Sequence, residues 1–225
     1  MPKVGVILSG CGVQDGSEIH EAVLTLLALD RAGADVVMMA PDKPQADVVD
    51  HKTGKATTEK RNVLAESARI ARGKIVDVAS VKADRLDAVI LPGGFGAAKN
   101  LCTFAKDGAD CRVEDSVAKL LREMHAKGKP IGALCIAPTI LAKVFGRDVQ
   151  PELTVGSDAG TAQAIEAMGA RHYEAKVTDV VIDAENRIAT TPAYMLADRI
   201  RDVATGADKL VQAVMRMTAE RIAAR

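Results

Sequence analysis

Lys129-Pro130-Ile131-Gly132-Ala133-Leu134-Cys135-Ile136-Ala137-Pro138 places a cysteine where an apolar strand hands over to a helix. Pro130 to Cys135 are all apolar or glycine, as in a strand buried on both faces of a parallel sheet. Pro138 pre-sets the backbone for a first helical turn, which Thr139 to Phe145 continue. Ala133 and Ala137 flank the cysteine two residues away on either side. Small residues there let strand and helix converge sharply enough to push one side chain out of the turn, the logic of the G-x-S-x-G elbow written with cysteine. A thiol at a helix N-terminus sits in the positive end of the dipole, which is expected to lower its pKa. The other reading is a structural cysteine that closes a buried strand, a common placement for this residue. Local pattern leaves both open.

Working outward, short apolar strands alternate with amphipathic helices almost from end to end. The pattern predicts strands at 4–8, 34–40, 87–91 and 153–156, with helices at Asn62–Ala71, Val113–Ala126 and Thr161–Met168. Ile19, Ala22, Val23, Leu26 and Leu27 have helical spacing, and Gly33 closes that helix. Residues 47–60 read as a polar hairpin with Lys52-Thr53-Gly54-Lys55 at its tip. Residues 97–112 have no clear period and read as an irregular insertion. Val177–Ile182 and Ile188–Thr191 read as a second hairpin, followed by a helix or helix pair over 195–204 and 208–221. No repeat or linker divides the chain, so residues 1–225 are expected to form one α/β domain, a mainly parallel sheet between helical layers. In such sheets the site lies beyond the carboxyl ends of the strands, where Cys135 falls.

The composition narrows the function classes. The 225 residues are 48% hydrophobic and 27% charged, an ordinary globular balance. Thirty basic against 30 acidic side chains argue against nucleic-acid or membrane-surface partners. An aromatic content of 2% without Trp leaves little for base stacking. No apolar run approaches the ~20 residues a bilayer span needs, and Met1 to Leu8 show no cleavable-signal pattern. Cys11, Cys102, Cys111 and Cys135 make no disulfide framework and no C-x-x-C pair, which fits a reducing, cytoplasmic setting. No metal-ligand spacing, phosphate loop or G-x-G-x-x-G follows the first strand, so neither metal nor cofactor is expected.

Chemistry is concentrated around three strand ends. Leu91-Pro92-Gly93-Gly94 supplies unobstructed backbone N–H groups, and the N–H of Ile136 follows the cysteine. Gly94 and Ile136 together would polarise a carbonyl attacked by Cys135, although a double glycine is equally a simple turn. Asp15-Gly16-Ser17-Glu18 has the form of a capping box, a sufficient structural reason for Glu18. Glu21 lies one turn further in, beside Ala22 and Val23. It is a candidate proton carrier if directed at Cys135, and otherwise part of a solvated helix face. His20 adjoins the acid pair as a candidate substrate contact. His51 falls in the hairpin and His125 on a polar helix face; His172, in an H-x-E pattern with Glu174, reads as structural. Cys11 follows the first strand and approaches the same mouth, but its spacing supports no partnership with Cys135.

These residues resemble the class I glutamine-amidotransferase-like superfamily, in particular its PfpI-like branch of deglycases, glyoxalases and chaperone-like proteins. Within it the likeness extends to the group of enhancing-lycopene-biosynthesis proteins. The carriers are Ser9 to Glu21, Arg61-Asn62-Val63-Leu64, Leu91 to Leu101, Cys135-Ile136-Ala137-Pro138 and Thr190-Thr191-Pro192-Ala193-Tyr194-Met195. The resemblance implies a flavodoxin-like three-layer sandwich, a Cys135 nucleophile and a Glu21 carboxyl partner; a slip of one turn would give that role to Glu18. It further implies cofactor-free conversion of a small dicarbonyl such as glyoxal to glycolate, or removal of early glycation adducts from protein, in a homodimer. Ile136 stands where histidine-bearing members carry a histidine, which favours a Cys–Glu dyad. The late His-x-Glu pair of true amidotransferases is missing or misplaced, which tells against glutamine hydrolysis. Two other readings stand beside the glyoxalase: a non-catalytic redox sensor using Cys135, and a glutaminase-like subunit in isoprenoid biosynthesis.

Overall fold

The computed structural model describes residues 1–224. Its strands are β1 (Lys3–Ile7), β2 (Asp35–Ala40), β3 (Val49–Asp50), β4 (Lys55–Ala56), β5 (Val76–Asp77), β6 (Ala88–Leu91), β7 (Ile131–Leu134), β8 (Glu152–Leu153), β9 (Arg171–His172), β10 (Val181–Asp183) and β11 (Ile188–Thr191). The helices are α1 (Ile19–Arg31), α2 (Val63–Ile70), α3 (Phe95–Lys99), α4 (Phe104–Asp107), α5 (Asp115–Ala126), α6 (Pro138–Phe145), α7 (Ala159–Ala167) and α8 (Ile200–Ala223).

Seven strands form the central sheet in the order β10-β11-β7-β6-β1-β2-β5. Every pairing in it is parallel except the β10–β11 hairpin. Period-two alternation sends successive side chains to opposite faces. Val4, Val6, Ala88 and Ile90 join the core under α1, α2 and α8. Ile7, Val89, Leu91 and Ile131 join the core under α5 and α6. The result is the flavodoxin-like three-layer α/β sandwich. From β1 the chain first winds outward through β2 and β5, then crosses to β6 on the other side of β1. That reversal marks the point beyond the carboxyl ends of the strands where a sheet of this type holds its ligand. The loop and helix after β1, the loop after β6 and the turn after β7 all reach it.

The elements differ from the sequence reading in several places: β5 is not among the strands it predicts, and the hairpin arm read as Val177–Ile182 is a strand only over Val181–Asp183. Residues 97–112 are not irregular: they carry most of α3, then α4 and a single 3-10 turn at Gly108–Asp110, each too short to show a helical period. The C-terminal segment is one helix, α8, and Met195 lies instead in a 3-10 turn at Ala193–Met195. Gly206 does not break α8. It lies against β11, where an added Cβ would come 2.9 Å from Thr191 Oγ1, so close packing overrides low propensity. The capping box is also replaced. Glu18 is itself the N-cap of α1, accepting the Glu21 N–H, while Asp15 accepts the Val49 N–H at 2.7 Å and anchors the β3–β4 hairpin.

Candidate active site

The elbow forms where the sequence places it. Leu134 ends β7, Cys135 takes a left-handed φ of 59°, and Pro138 opens α6. A non-glycine residue in that region is strained, and such strain collects at functional positions. The Cys135 N–H is fixed to Thr191 O at 3.0 Å, so β11 holds the turn from one side. The side chain is almost fully covered, at 8% exposure. Backbone N–H groups of Gly94 and Ile136 both point at its sulfur.

Glu21 comes to this thiol from the far side of β6. It is fully buried on the first turn of α1. Its Oε2 accepts the Gly93 N–H at 2.9 Å and its Oε1 accepts the Tyr194 N–H at 3.1 Å, while the Cys135 thiol donates to the carboxyl group. The structure thus brings Glu21, not Glu18, to the cysteine. Glycine at 93 is what permits the contact. A Cβ there would lie 2.5 Å from the Cys135 Cβ and 2.7 Å from Glu21 Oε2. Gly94 has a φ of 93°, and a Cβ on it would meet the Glu18 backbone N at 2.3 Å. The double glycine is therefore a close-approach device and not a plain turn. Gly93→Ala is expected to force the thiol and carboxyl apart and to slow any reaction that needs the pair by about 10²-fold, the order of effect of a 1 Å misplacement. Steady-state kinetics beside a circular-dichroism spectrum matching wild type check this.

Burial dominates the electrostatics. It pushes the Glu21 carboxyl up from an ordinary 4.5 to about 7; the Glu18 charge adds to the rise, and the N–H groups of Tyr194 and Gly93 oppose it. Burial also raises the Cys135 thiol, reinforced by the Glu21 charge and opposed by the N–H groups of Gly94 and Ile136. The expectation of a thiol acidified by the α6 dipole is thereby overturned: desolvation of a fully buried sulfur and a carboxylate neighbour outweigh one helix terminus. Above pH ~7 the resting pair is a thiol donating to a carboxylate, and below it the Glu21 carboxyl is itself protonated.

Stability carries the same signature. The native state binds more protons than the unfolded chain between pH ~4.5 and ~7, so Glu21 makes stability fall as pH rises through that window. The total effect is on the order of 3 kcal/mol, from 1.36 kcal/mol per pKa unit. Glu21→Gln is expected to flatten this slope, measured as thermal midpoints from pH 5 to pH 8.

The remaining predicted residues divide. Glu18 is 8% exposed, and its Oε1 stands 4.0 Å from His20 Nδ1. His20 is turned to Tyr194, with Nδ1 2.7 Å from the phenol oxygen. His51 is occupied by Val49 O and the Gln14 N–H. His125 is half-buried beside Phe145 at 5.0 Å between ring centres, not on a purely polar face. The His172 ring accepts the Val155 N–H, and burial lowers its pKa. Cys11 faces the charges of Glu66, Arg69, Asp15 and Arg61, so its electrostatic surroundings differ from those of Cys135. Sequence reasoning missed two residues that hold the site. The Tyr194 N–H fixes Glu21 from the 3-10 turn that follows β11, and Asn100 donates to Ser9 O and Asp15 O while accepting the Ala46 N–H. Both lay in segments that carried the resemblance, yet neither has a local pattern that declares its contact.

Residues 11–197 match the sequence profile of the DJ-1/PfpI family. The chain belongs to the DJ-1/PfpI family. Among curated relatives it is 50% identical over 226 residues to the human glutamine amidotransferase-like class 1 domain-containing protein 3, mitochondrial, covering 96% of this chain and 83% of that protein. It is 35% identical over 234 residues to the Danio rerio ES1 protein, mitochondrial, covering 97% and 87%. Among solved structures, an isoprenoid biosynthesis protein with an amidotransferase-like domain from Ehrlichia chaffeensis superposes with a TM-score of 0.89 at 36% identity, covering 95% of this chain and 99% of that one. Drosophila melanogaster DJ-1beta shares the fold, with a TM-score of 0.55 at 22% identity over 99% and 96% of the two chains. Among the described residues of this DJ-1/PfpI member, no helix is long and apolar enough to cross a membrane.

Proposed function

We propose that this DJ-1/PfpI protein is a cofactor-independent glyoxalase that converts glyoxal, or a similar small dicarbonyl, to its hydroxy acid. The observation that carries the reading is the buried Cys135 thiol hydrogen-bonded to Glu21 beneath the N–H groups of Gly94 and Ile136. As the sulfur adds to one aldehyde carbon, the Glu21 carboxylate accepts the thiol proton and passes it to the carbonyl oxygen, giving a neutral hemithioacetal. The two N–H groups stabilise the negative charge that develops on that oxygen. Freed of its proton, Glu21 takes hydrogen from the carbon bearing sulfur, and the electron pair moves into an enediolate. Glu21 returns the proton to the second carbon while the first hydroxyl gives its proton to the second oxygen. A thioester of glycolate results, and water hydrolyses it to glycolate and free Cys135.

A carboxyl group with a pKa near 7 suits this shuttle, since it both accepts and releases protons close to neutrality. Early glycation adducts on protein present a related carbonyl and are the second substrate class. Glutamine hydrolysis is less well supported: His20 is engaged with Tyr194 and His172 with Val155. The likeness to enhancing-lycopene-biosynthesis proteins bears on the pathway served and leaves the chemistry of the pair unchanged. The four free cysteines suit a reducing compartment, the cytoplasm or the mitochondrion recorded in the names of the human and zebrafish relatives. The working form we propose is a homodimer of single-domain chains.

Incubating the purified chain with glyoxal and following glycolate, without added cofactor, tests the reading. Catalytic glycolate formation supports it. A chain that leaves glyoxal untouched while peroxide oxidises Cys135 selectively supports the redox-sensor reading instead.

A further inference from the structure

Two thiols outside the site are paired with each other. Cys102 and Cys111 stand on either side of α4, both buried, and their side chains are hydrogen-bonded together. The backbone holds them there. Cys102 pairs with Val113 in an antiparallel bridge, Thr103 N–H donates to Arg112 O at 3.0 Å, and Glu114 N–H donates to Leu101 O at 2.8 Å. The segment between them is thus a loop closed at its neck, with both thiols in the core beneath α5 and α6. Cys102 also donates to Ala97 O at 3.3 Å, and Cys111 contacts Met168 Sδ at 4.0 Å.

We propose that Cys102 and Cys111 form a reversible dithiol–disulfide site, with a hydroperoxide as its oxidant, separate from Cys135. Because the two thiols are brought together by one closed neck, a bond between them joins neighbours and not distant segments. Free, paired thiols in a reducing compartment are the arrangement from which transient, redox-responsive disulfides arise. The two sulfurs are not equivalent. The Cys102 thiol, and after it Lys143, draw Cys111 toward thiolate against its burial, whereas Cys111 and burial hold Cys102 protonated. Cys111 is accordingly the attacking sulfur. A surface hollow lined by Ala109, Asp110, Lys143, Arg147 and Met168 adjoins Cys111 through its chain neighbour Asp110 and its contact Met168.

The chemistry balances. Cys111 thiolate attacks one peroxide oxygen and the O–O bond breaks. The sulfur is oxidised by two electrons to sulfenic acid, and the departing oxygen leaves as hydroxide and is protonated to water. Cys102 sulfur then attacks the Cys111 sulfur, its proton joins the sulfenic hydroxyl, and a second water departs as the disulfide forms. In sum, two thiols and one hydrogen peroxide give one disulfide and two waters; an organic hydroperoxide would release its alcohol in place of the first water. A small-molecule dithiol reverses the step by exchange.

Trypsin cuts after Lys99, Lys106 and Arg112, so the cysteines fall in separate peptides, Asn100–Lys106 and Asp107–Arg112. The native full-length protein is treated with a small excess of hydrogen peroxide, free thiols are alkylated, and the digest is analysed by mass spectrometry. The expected result is that these peptides are recovered joined, in most molecules, while Cys11 remains alkylated, and that dithiothreitol separates them. In Cys102→Ala, dimedone is expected to trap a sulfenic acid on Cys111. Recovery of both peptides alkylated and unjoined after Cys135 has been oxidised overturns the proposal, as does joining that occurs only in denaturant. Wild type alone decides the first outcome, so it stands whether or not the variant folds. Glyoxal turnover is not read, so failure here leaves the glyoxalase proposal untouched.

Discussion

Cys135→Ala is expected to lower glycolate formation from glyoxal to the buffer rate, a loss on the order of 10³-fold or more, as when a covalent nucleophile is removed from a unit that acts together. The fold should survive. Cys135 is small, and what holds its strained turn is backbone: its N–H on Thr191 O and the Ala137 N–H on Leu134 O, neither of which needs the thiol. Relief of a buried thiol facing a carboxylate is expected to offset the small cavity left behind. The thermal midpoint should therefore stay within a few degrees of wild type. Turnover within twofold of wild type would remove Cys135 from the chemistry and leave it as a strand-closing residue.

Glu21→Gln is expected to cost about 10²–10⁴-fold in kcat, the range for a positioned general acid–base group. Its pH behaviour separates a chemical role from a structural one. In wild type the carboxylate must be free to take the thiol proton, so kcat/KM should rise with pH through an inflection near 7, following the Glu21 carboxyl. The rise belongs to Glu21, because burial holds the Cys135 thiol above its ordinary value. In Glu21→Gln the residual rate should lack that inflection and climb only in more alkaline solution, as thiolate itself appears. The amide keeps one acceptor for Gly93 or Tyr194, so a large loss of activity with intact secondary structure locates the effect in proton transfer.

The parts of the fold that follow from period and punctuation were legible in the sequence. The elbow was written in Ala133-Leu134-Cys135-Ile136-Ala137-Pro138, and both hairpins announced themselves through their turn residues. Elements of four or five residues, such as α3 and α4, are too short to carry a period, and tertiary packing alone shapes them. The C-terminal segment leaves a helix or a helix pair open over 195–204 and 208–221, because the packing of Gly206 against β11 that keeps α8 continuous is not visible in sequence. At the site the residue types were legible and the electrostatics were not. A helix N-terminus near Cys135 suggested a lowered pKa. Full burial and Glu21 turn the sign, and both are products of three separate strand ends meeting. Tyr194 and Asn100 act through contacts with residues 173 and 91 positions away, a separation no local pattern spans.

The central claim is that Cys135 bonds to the dicarbonyl and that Glu21 then moves the proton that lets the adduct go forward. Mass spectrometry of Glu21→Gln, quenched during incubation with glyoxal in alkaline solution, where Cys135 thiolate forms without the carboxylate, and mapped by peptide, tests both parts together. The account predicts that one glyoxal equivalent accumulates on the peptide holding Cys135, is absent after Cys135→Ala, and builds up far less in wild type, which turns it over. An unmodified Cys135 peptide in a Glu21→Gln enzyme that still makes glycolate would contradict it.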